Sequence, residues 1–220
     1  MEPLIHFVLL LLSQLIIGMA FLKLLFKLEP SPQNIAFSIL FGLGIHSLIP
    51  FSLELFFIPI SYFTIYIFIF FLTIFLLYTS KLNLKEIFTL FKNRIRFPNH
   101  FILLLIPLFI LVGLSIWRAF YFPPFAVDIT SGAEAVSMYT LKEKTLINTV
   151  FDVYQNGNTL KPAFLTSLQV IYKLAGFPFG QIWLSQIVIC FLVILAAEMK
   201  KTINSIIVIF LLILFLAIPE

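Results

Sequence analysis

The chain has 220 residues, 61% hydrophobic and 11% charged, with 28 phenylalanines and a mean hydropathy of +1.11. A water-soluble domain of this length cannot hide so much apolar surface, and the polar–apolar alternation of a transmembrane barrel is absent. An all-α, polytopic transmembrane protein remains, in which the net charge of +4 reports topology rather than affinity for nucleic acid. The single cysteine, Cys190, excludes an intramolecular disulfide.

The N-terminus, Met1 to His6, lacks the basic region of a signal peptide and its apolar run has no small-residue cleavage site. A retained span is predicted from about Leu4 to Lys27, closing on Lys23, Lys27 and Glu29-Pro30-Ser31-Pro32. The second span, about Asn34 to Phe57, contains Gly42, Gly44, His46, Ser47 and Pro50. Little more than Pro59 separates it from the third, about Ile60 to Thr79, so the two form a tight hairpin. A basic stretch follows, with Lys81, Lys85, Lys92, Arg94 and Arg96 against Glu86. The fourth span runs from about Phe101 to Ala119, with Trp117 and Tyr121 as interface aromatics. Each run reaches or approaches the roughly 20 apolar residues that cross a bilayer core.

The positive-inside rule orients these spans. The basic stretch after the third span belongs in the cytoplasm, and so, counting backward, does the Lys23/Lys27 end of the first. The N-terminus then lies outside. Counting forward, the fourth span delivers a polar loop to the external face. That loop, within residues 119 to 178, holds Asp128, Glu134, Lys142, Glu143, Lys144, Asp152 and Lys161.

Pro162 to Gly176 is apolar but about half the length of a span. Thr166, Gln169 and Lys173 recur along one side, with Phe164, Leu165, Leu168, Ile171 and Tyr172 on the other. This pattern predicts an amphipathic helix lying in the interface. Gly132 to Val150 has helical composition and reads as a second interfacial helix. If neither crosses, the fifth span, about Gln181 to Met199, runs inward and leaves Lys200 and Lys201 in the cytoplasm. A sixth, about Ile203 to Ile218, returns to the outer face, where the chain stops at Pro219-Glu220. About six spans are expected, and the abrupt ending suggests an incomplete chain.

No P-loop, G-x-G-x-x-G or Cys/His metal spacing occurs. An intramembrane histidine such as His46 merits a functional hypothesis, but Gly42, Gly44 and Ser47 around it favour close helix packing with a hydrogen-bonded ring. Glu54 is expected at the interface, and Glu198 beside Lys200. In the loop, Pro123 and Pro124 stiffen the backbone ahead of Asp128. Asp128 either caps the following helix or acts as an acid–base group. Lys161 precedes Pro162 at a predicted helix start, where free N–H groups favour an anion. It meets either a lipid headgroup or a bound phosphate.

Trp117-Arg118, Asp128, Tyr139, Lys161-Pro162-Ala163-Phe164-Leu165 and Leu174-Ala175-Gly176 together resemble the N-terminal part of a GT-C-type membrane glycosyltransferase, the class that includes the family 39 protein mannosyltransferases. The resemblance covers roughly residues 101 to 220, with 1 to 100 as an N-terminal three-helix addition. Ala163 replaces a second proline of the family element, and the residues after Asp128 lack an aromatic–histidine pair. The resemblance implies sugar transfer from a polyprenyl-phosphate donor to an acceptor hydroxyl of a glycan, lipid or protein, at the periplasmic face of a bacterial inner membrane. It implies Asp128 as the catalytic base and Lys161 as a phosphate contact, with Arg118, Glu134 and Asp152 as further substrate contacts. A divalent metal serves some members of the family and not others. The competing readings are a flippase-like transporter of lipid-linked sugars, and a non-catalytic membrane subunit.

Overall fold

The structure is a computed structural model that describes residues 2–26, 31–83, 102–121, 134–147, 163–201 and 204–217. Within them the chain is helical: α1 (Glu2–Leu25), α2 (Pro32–Leu55), α3 (Tyr62–Ser80), α4 (Ile102–Tyr121), α5 (Ala135–Glu143), α6 (Ala163–Leu174), α7 (Ile182–Met199) and α8 (Ser205–Ala217). No strand occurs among the described residues. The stretch Lys85 to Arg96 and the residues Lys27, Asp128, Asp152 and Lys161 lie outside them.

Four helices are long and apolar enough to cross a membrane: Pro3–Leu25, Gln33–Leu55, Tyr62–Ser80 and Ile182–Met199. Apolar helices of this kind associate with a lipid bilayer, which supplies none of the hydrogen bonds a backbone needs and so favours helices. The expected fourth and sixth spans fall outside this set. The described apolar part of α4 is Ile106–Phe120, and α8 has 13 residues, about 20 Å at helical rise.

Local chemistry sets the helix limits. Ser31 caps α2 from an extended conformation, accepting from the Asn34 amide, with Pro32 in the first turn. Ser61 and Thr64 form a reciprocal capping box at the start of α3. Between α2 and α3, Phe57 adopts a left-handed conformation and Pro59 lies in the short turn, and α3 packs more closely on α1 than on α2.

α1 and α2 make the closest helix pair, because two glycines let their backbones touch. A Cβ on Gly18 would stand 1.7 Å from the Ser38 carbonyl oxygen, and one on Gly42 would stand 1.9 Å from that of Gln14. A Cβ on Gly44 would meet nothing within 4 Å among the described residues, so the packing role expected for both glycines belongs to Gly42. His46 lies fully buried in the same interface. Ser13 Oγ gives its proton to the Leu10 carbonyl at 2.8 Å and stands 3.3 Å from His46 Nε2. The ring thus meets Ser13 through one nitrogen, while Nδ1 has no hydrogen-bond partner among the described residues.

Side-chain contacts define two ends of the bundle. At one, Lys23 Nζ donates to the Lys81 carbonyl, joining the ends of α1 and α3. There too Gln33 at the start of α2 bonds Glu198 at the end of α7, beside Lys200 and Lys201. At the other end lie Pro3, Glu54, the α2–α3 turn and Gly176. The lysines of α1, α3 and α7 thus gather at one end, and α7 runs from the Glu54 end to the lysine end.

The glycine contacts predict a sharp contrast. Gly42→Leu exceeds the ~1–3 kcal/mol of ordinary overpacking, because it strikes backbone rather than a side chain. Gly44→Ala changes stability by less than about 1 kcal/mol. Unfolding in mixed micelles by denaturing detergent, followed by circular dichroism, measures both; equal effects would contradict the α1–α2 geometry.

Candidate functional site

The region between α4 and α7 is held to the Glu54 end by a set of polar contacts. α5 ends at Lys144, whose left-handed backbone turns the chain and whose amide donates to the Thr140 carbonyl at 2.8 Å. The Lys144 carbonyl accepts from the Ile60 amide at 2.8 Å. The Glu54 carboxylate accepts from Thr145 Oγ1 at 2.7 Å and from the Leu146 amide at 2.8 Å. Glu54, expected only as an interface residue, is therefore the clamp that ties this segment to the α2–α3 turn. A lone acid near the end of an apolar helix was the one signal of it in the sequence.

α6 departs from expectation. An interfacial amphipathic helix would leave Thr166, Gln169 and Lys173 facing water and headgroups. Instead every residue from Thr166 to Tyr172 is buried, among apolar side chains of α1, α2, α3 and α7 such as Leu10, Leu43, Leu53, Ile65 and Trp183. Its 12 residues span about 18 Å, too little for a crossing. α6 is an embedded helix, and part of its polar side is met by partners rather than by solvent.

Two polar groups supply that matching. Deep in the bundle, Gln14 Nε2 donates to Tyr172 Oη at 2.9 Å, Tyr172 Oη donates to Gln186 Oε1, and Gln186 Nε2 returns to Gln14 Oε1 at 3.3 Å. This closed ring joins α1, α6 and α7. On the neighbouring side of α6, Lys173 Nζ donates to Glu134 Oε1 at 2.5 Å and Gln169 Nε2 donates to Glu134 Oε2 at 3.4 Å. The Lys173 and Glu134 side chains are only 5% and 14% exposed. Gly180, at φ +62°, brings the following turn against the same side. A Cβ there would stand 2.5 Å from the Gln169 carbonyl oxygen and 3.1 Å from Lys173 Cγ.

Of the residues singled out from sequence, Glu134 is placed in a defined polar site. Arg118 is exposed in the last turn of α4, and no ion pair joins it to Glu134 among the described residues. Asp128, Lys161 and Asp152 lie outside those residues. Lys173 and Gln169 are the partners that sequence reasoning assigned to solvent. Their spacing of four placed them on one face, but nothing in it distinguishes a face turned to water from one turned to a buried carboxylate. Among the described residues, no group of three His, Cys, Asp or Glu side chains is placed to hold a metal ion.

No family model, curated protein or solved structure matches the chain. Functional argument rests on the residues and their geometry.

The chemistry of the Glu134–Lys173 pair follows from burial. Burial pushes the Lys173 ammonium below the usual lysine range, while the hydrogen bond and charge of Glu134 pull it back up. A base depressed in the folded state binds fewer protons there than unfolded. Its contribution to stability therefore rises with pH between the lowered value and the ordinary lysine value near ~10.4. Glu134→Gln removes the upward influence, so Lys173 should lose its proton at lower pH than in the parent. A carbon-13 NMR titration of the lysine ε-carbons reads this, and an unchanged or raised midpoint would contradict it.

Breaking the pair from one side leaves an uncompensated buried charge. Glu134→Ala should cost about 3–5 kcal/mol, whereas Glu134→Leu combined with Lys173→Met should recover most of that loss. For the ring, Tyr172→Phe leaves the two glutamines with one missing partner each and should cost about 1–3 kcal/mol. Denaturing-detergent titrations of each variant provide the comparison.

Proposed function

We propose that this chain forms part of a membrane glycosyltransferase that moves a sugar from a polyprenyl-phosphate donor to an acceptor hydroxyl. The reaction would take place at the Glu54 end of the bundle. The observation that carries this reading is the placement of α5 and α6. A segment too short to cross the bilayer is folded into that end and brings a largely enclosed carboxylate and lysine together with a buried amide. A polar site set just inside a lipid-facing bundle suits a substrate with a polar head and a lipid tail. The resemblance of residues 101 to 220 to the GT-C class supplies the reaction.

In this reading the apolar runs of about Phe101 to Ala119 and Ile203 to Ile218, both longer than α6, also cross, giving six spans. Ser185 Oγ, near the start of α7, donates to the Ser115 carbonyl at 3.2 Å, which brings the C-terminal half of α4 toward the Glu54 end. Phe120 in the last turn of α4 likewise packs against Phe177, on the side where α5 and α6 are docked. The lysine end is cytoplasmic by the positive-inside rule, so the Glu54 end faces the periplasm or exterior. Asp128 takes the proton of the acceptor hydroxyl as it attacks the anomeric carbon. The bond from that carbon to the phosphate oxygen breaks, and Lys161 stabilises the departing polyprenyl phosphate.

The transporter interpretation has one observation in its favour, the polar ring of Gln14, Tyr172 and Gln186 within the bundle. In that ring each glutamine oxygen and the tyrosine hydroxyl already has a partner. A closed ring of this kind fastens helices better than it conducts a substrate.

The test is sugar transfer in proteoliposomes holding the full-length protein and radiolabelled polyprenyl-phosphate sugars, read as release of the label from the lipid. Asp128→Asn should lower the rate by about a hundredfold or more with membrane insertion unchanged. Transfer at the parental rate would remove Asp128 as the base and with it the main support of the reading.

A further inference from the structure

Gln169 is 1% exposed, and its side-chain oxygen has no hydrogen-bond partner among the described residues. Its amide nitrogen is committed to Glu134 Oε2, so the amide orientation is fixed. Turning it over would set two oxygens against each other. A buried carbonyl oxygen left without a donor is costly. One helical turn along the same face, Lys173 Nζ has three N–H donors, of which Glu134 Oε1 takes one. On one face of α6 and sharing Glu134 as a partner, the two residues thus present an acceptor that lacks a donor among the described residues and a donor with hydrogen atoms to spare.

A hydroxyl satisfies both, giving its proton to Gln169 Oε1 and accepting from Lys173 Nζ. A phosphate group meets only one of the two, the bond from Lys173 Nζ. It has no proton for Gln169 near neutral pH, and the Glu134 carboxylate repels it, while the Glu134–Lys173 pair leaves the site with no net positive charge to attract it. Glu134, the more exposed member of the ion pair at 14%, marks the side of approach.

We propose that Glu134, Gln169 and Lys173 form a hydroxyl-recognition subsite that binds the neutral sugar ring of the substrate rather than its phosphate. In taking the hydroxyl from a sugar, this assignment rests on the transferase reading. The hydrogen-bonding pattern itself would equally be met by a water molecule, and the experiment separates these sources. Gln169 and Lys173 hold the ring hydroxyl, and Glu134 fixes both side chains while cancelling the lysine charge.

The experiment uses the full chain in lipid nanodiscs with lysine labelled at the ε-carbon, titrated separately with octyl β-glucoside and octyl phosphate. Octyl glucoside should shift the Lys173 resonance saturably, and octyl phosphate should bind at least about tenfold more weakly. Gln169→Leu should weaken the glucoside by about tenfold or more, the range expected when one buried partner is removed. Glu134→Gln retains the side-chain volume and leaves the lysine charge uncancelled, so its preference should reverse toward octyl phosphate.

Tighter binding of octyl phosphate by the parent, or a Gln169→Leu variant that keeps its glucoside affinity, would overturn the proposal. So would the absence of any saturable shift, which would assign the site to a bound water alone. Should Gln169→Leu fail to fold, the reversal in Glu134→Gln decides the matter. These readouts involve no turnover. Saturable glucoside binding together with absent sugar transfer would retain the subsite and reject the transferase.

Discussion

The closed hydrogen-bond ring of Gln14, Tyr172 and Gln186 is the constraint on which the arrangement depends. Each of the three side chains comes from a different helix, and each is wholly or almost wholly buried. In a lipid environment there is no water to replace a missing partner, so such groups must find one another. Individually these bonds contribute modestly, about 0.6 kcal/mol on average in membrane bundles. Their greater effect is on specificity: sliding or turning α6 by one residue would leave three polar groups unpaired in an apolar core.

With α6 held, the rest of the Glu54 end follows. Tyr172 and Lys173 are consecutive, so fixing one sets where the other can reach, and Lys173 meets Glu134 at the start of α5. Glu54 then clamps the far end of α5 through Thr145 and Leu146, and Ile60 adds a backbone bond to Lys144. The segment is tied at both ends and in its middle. On the opposite side, the α1–α2 contact through Gly18 and Gly42 positions Gln14 for the ring. Small residues that allow two backbones to touch and polar residues that fasten a third helix therefore act together.

Much of this was legible in the sequence. Long apolar runs marked α1, α2, α3 and α7, and Pro59 marked the α2–α3 turn. Counting lysines placed the end of α7 beside the ends of α1 and α3, as the contacts among Lys23, Lys81, Gln33 and Glu198 show. What periodicity could not supply was the environment of α6. Thr166, Gln169 and Lys173 make a polar stripe whether it faces headgroups or a buried carboxylate, and the partner, Glu134, lies 39 positions from Lys173 along the chain. The role of Gln14 was hidden for the same reason. One glutamine inside an apolar run carries no sign of the tyrosine 158 positions away that receives its hydrogen bond.

The burial of α6 is the central claim, and side-chain accessibility tests it most directly. Thr166→Cys and Lys144→Cys, each in a Cys190→Ser background, are exposed to a membrane-impermeant maleimide in intact proteoliposomes and again after permeabilisation. The account predicts that Lys144→Cys labels under at least one of these conditions while Thr166→Cys stays unlabelled in both, because Thr166 is enclosed by the bundle. Labelling of Thr166→Cys at a rate comparable to that of Lys144→Cys would place α6 on the membrane surface and contradict the account.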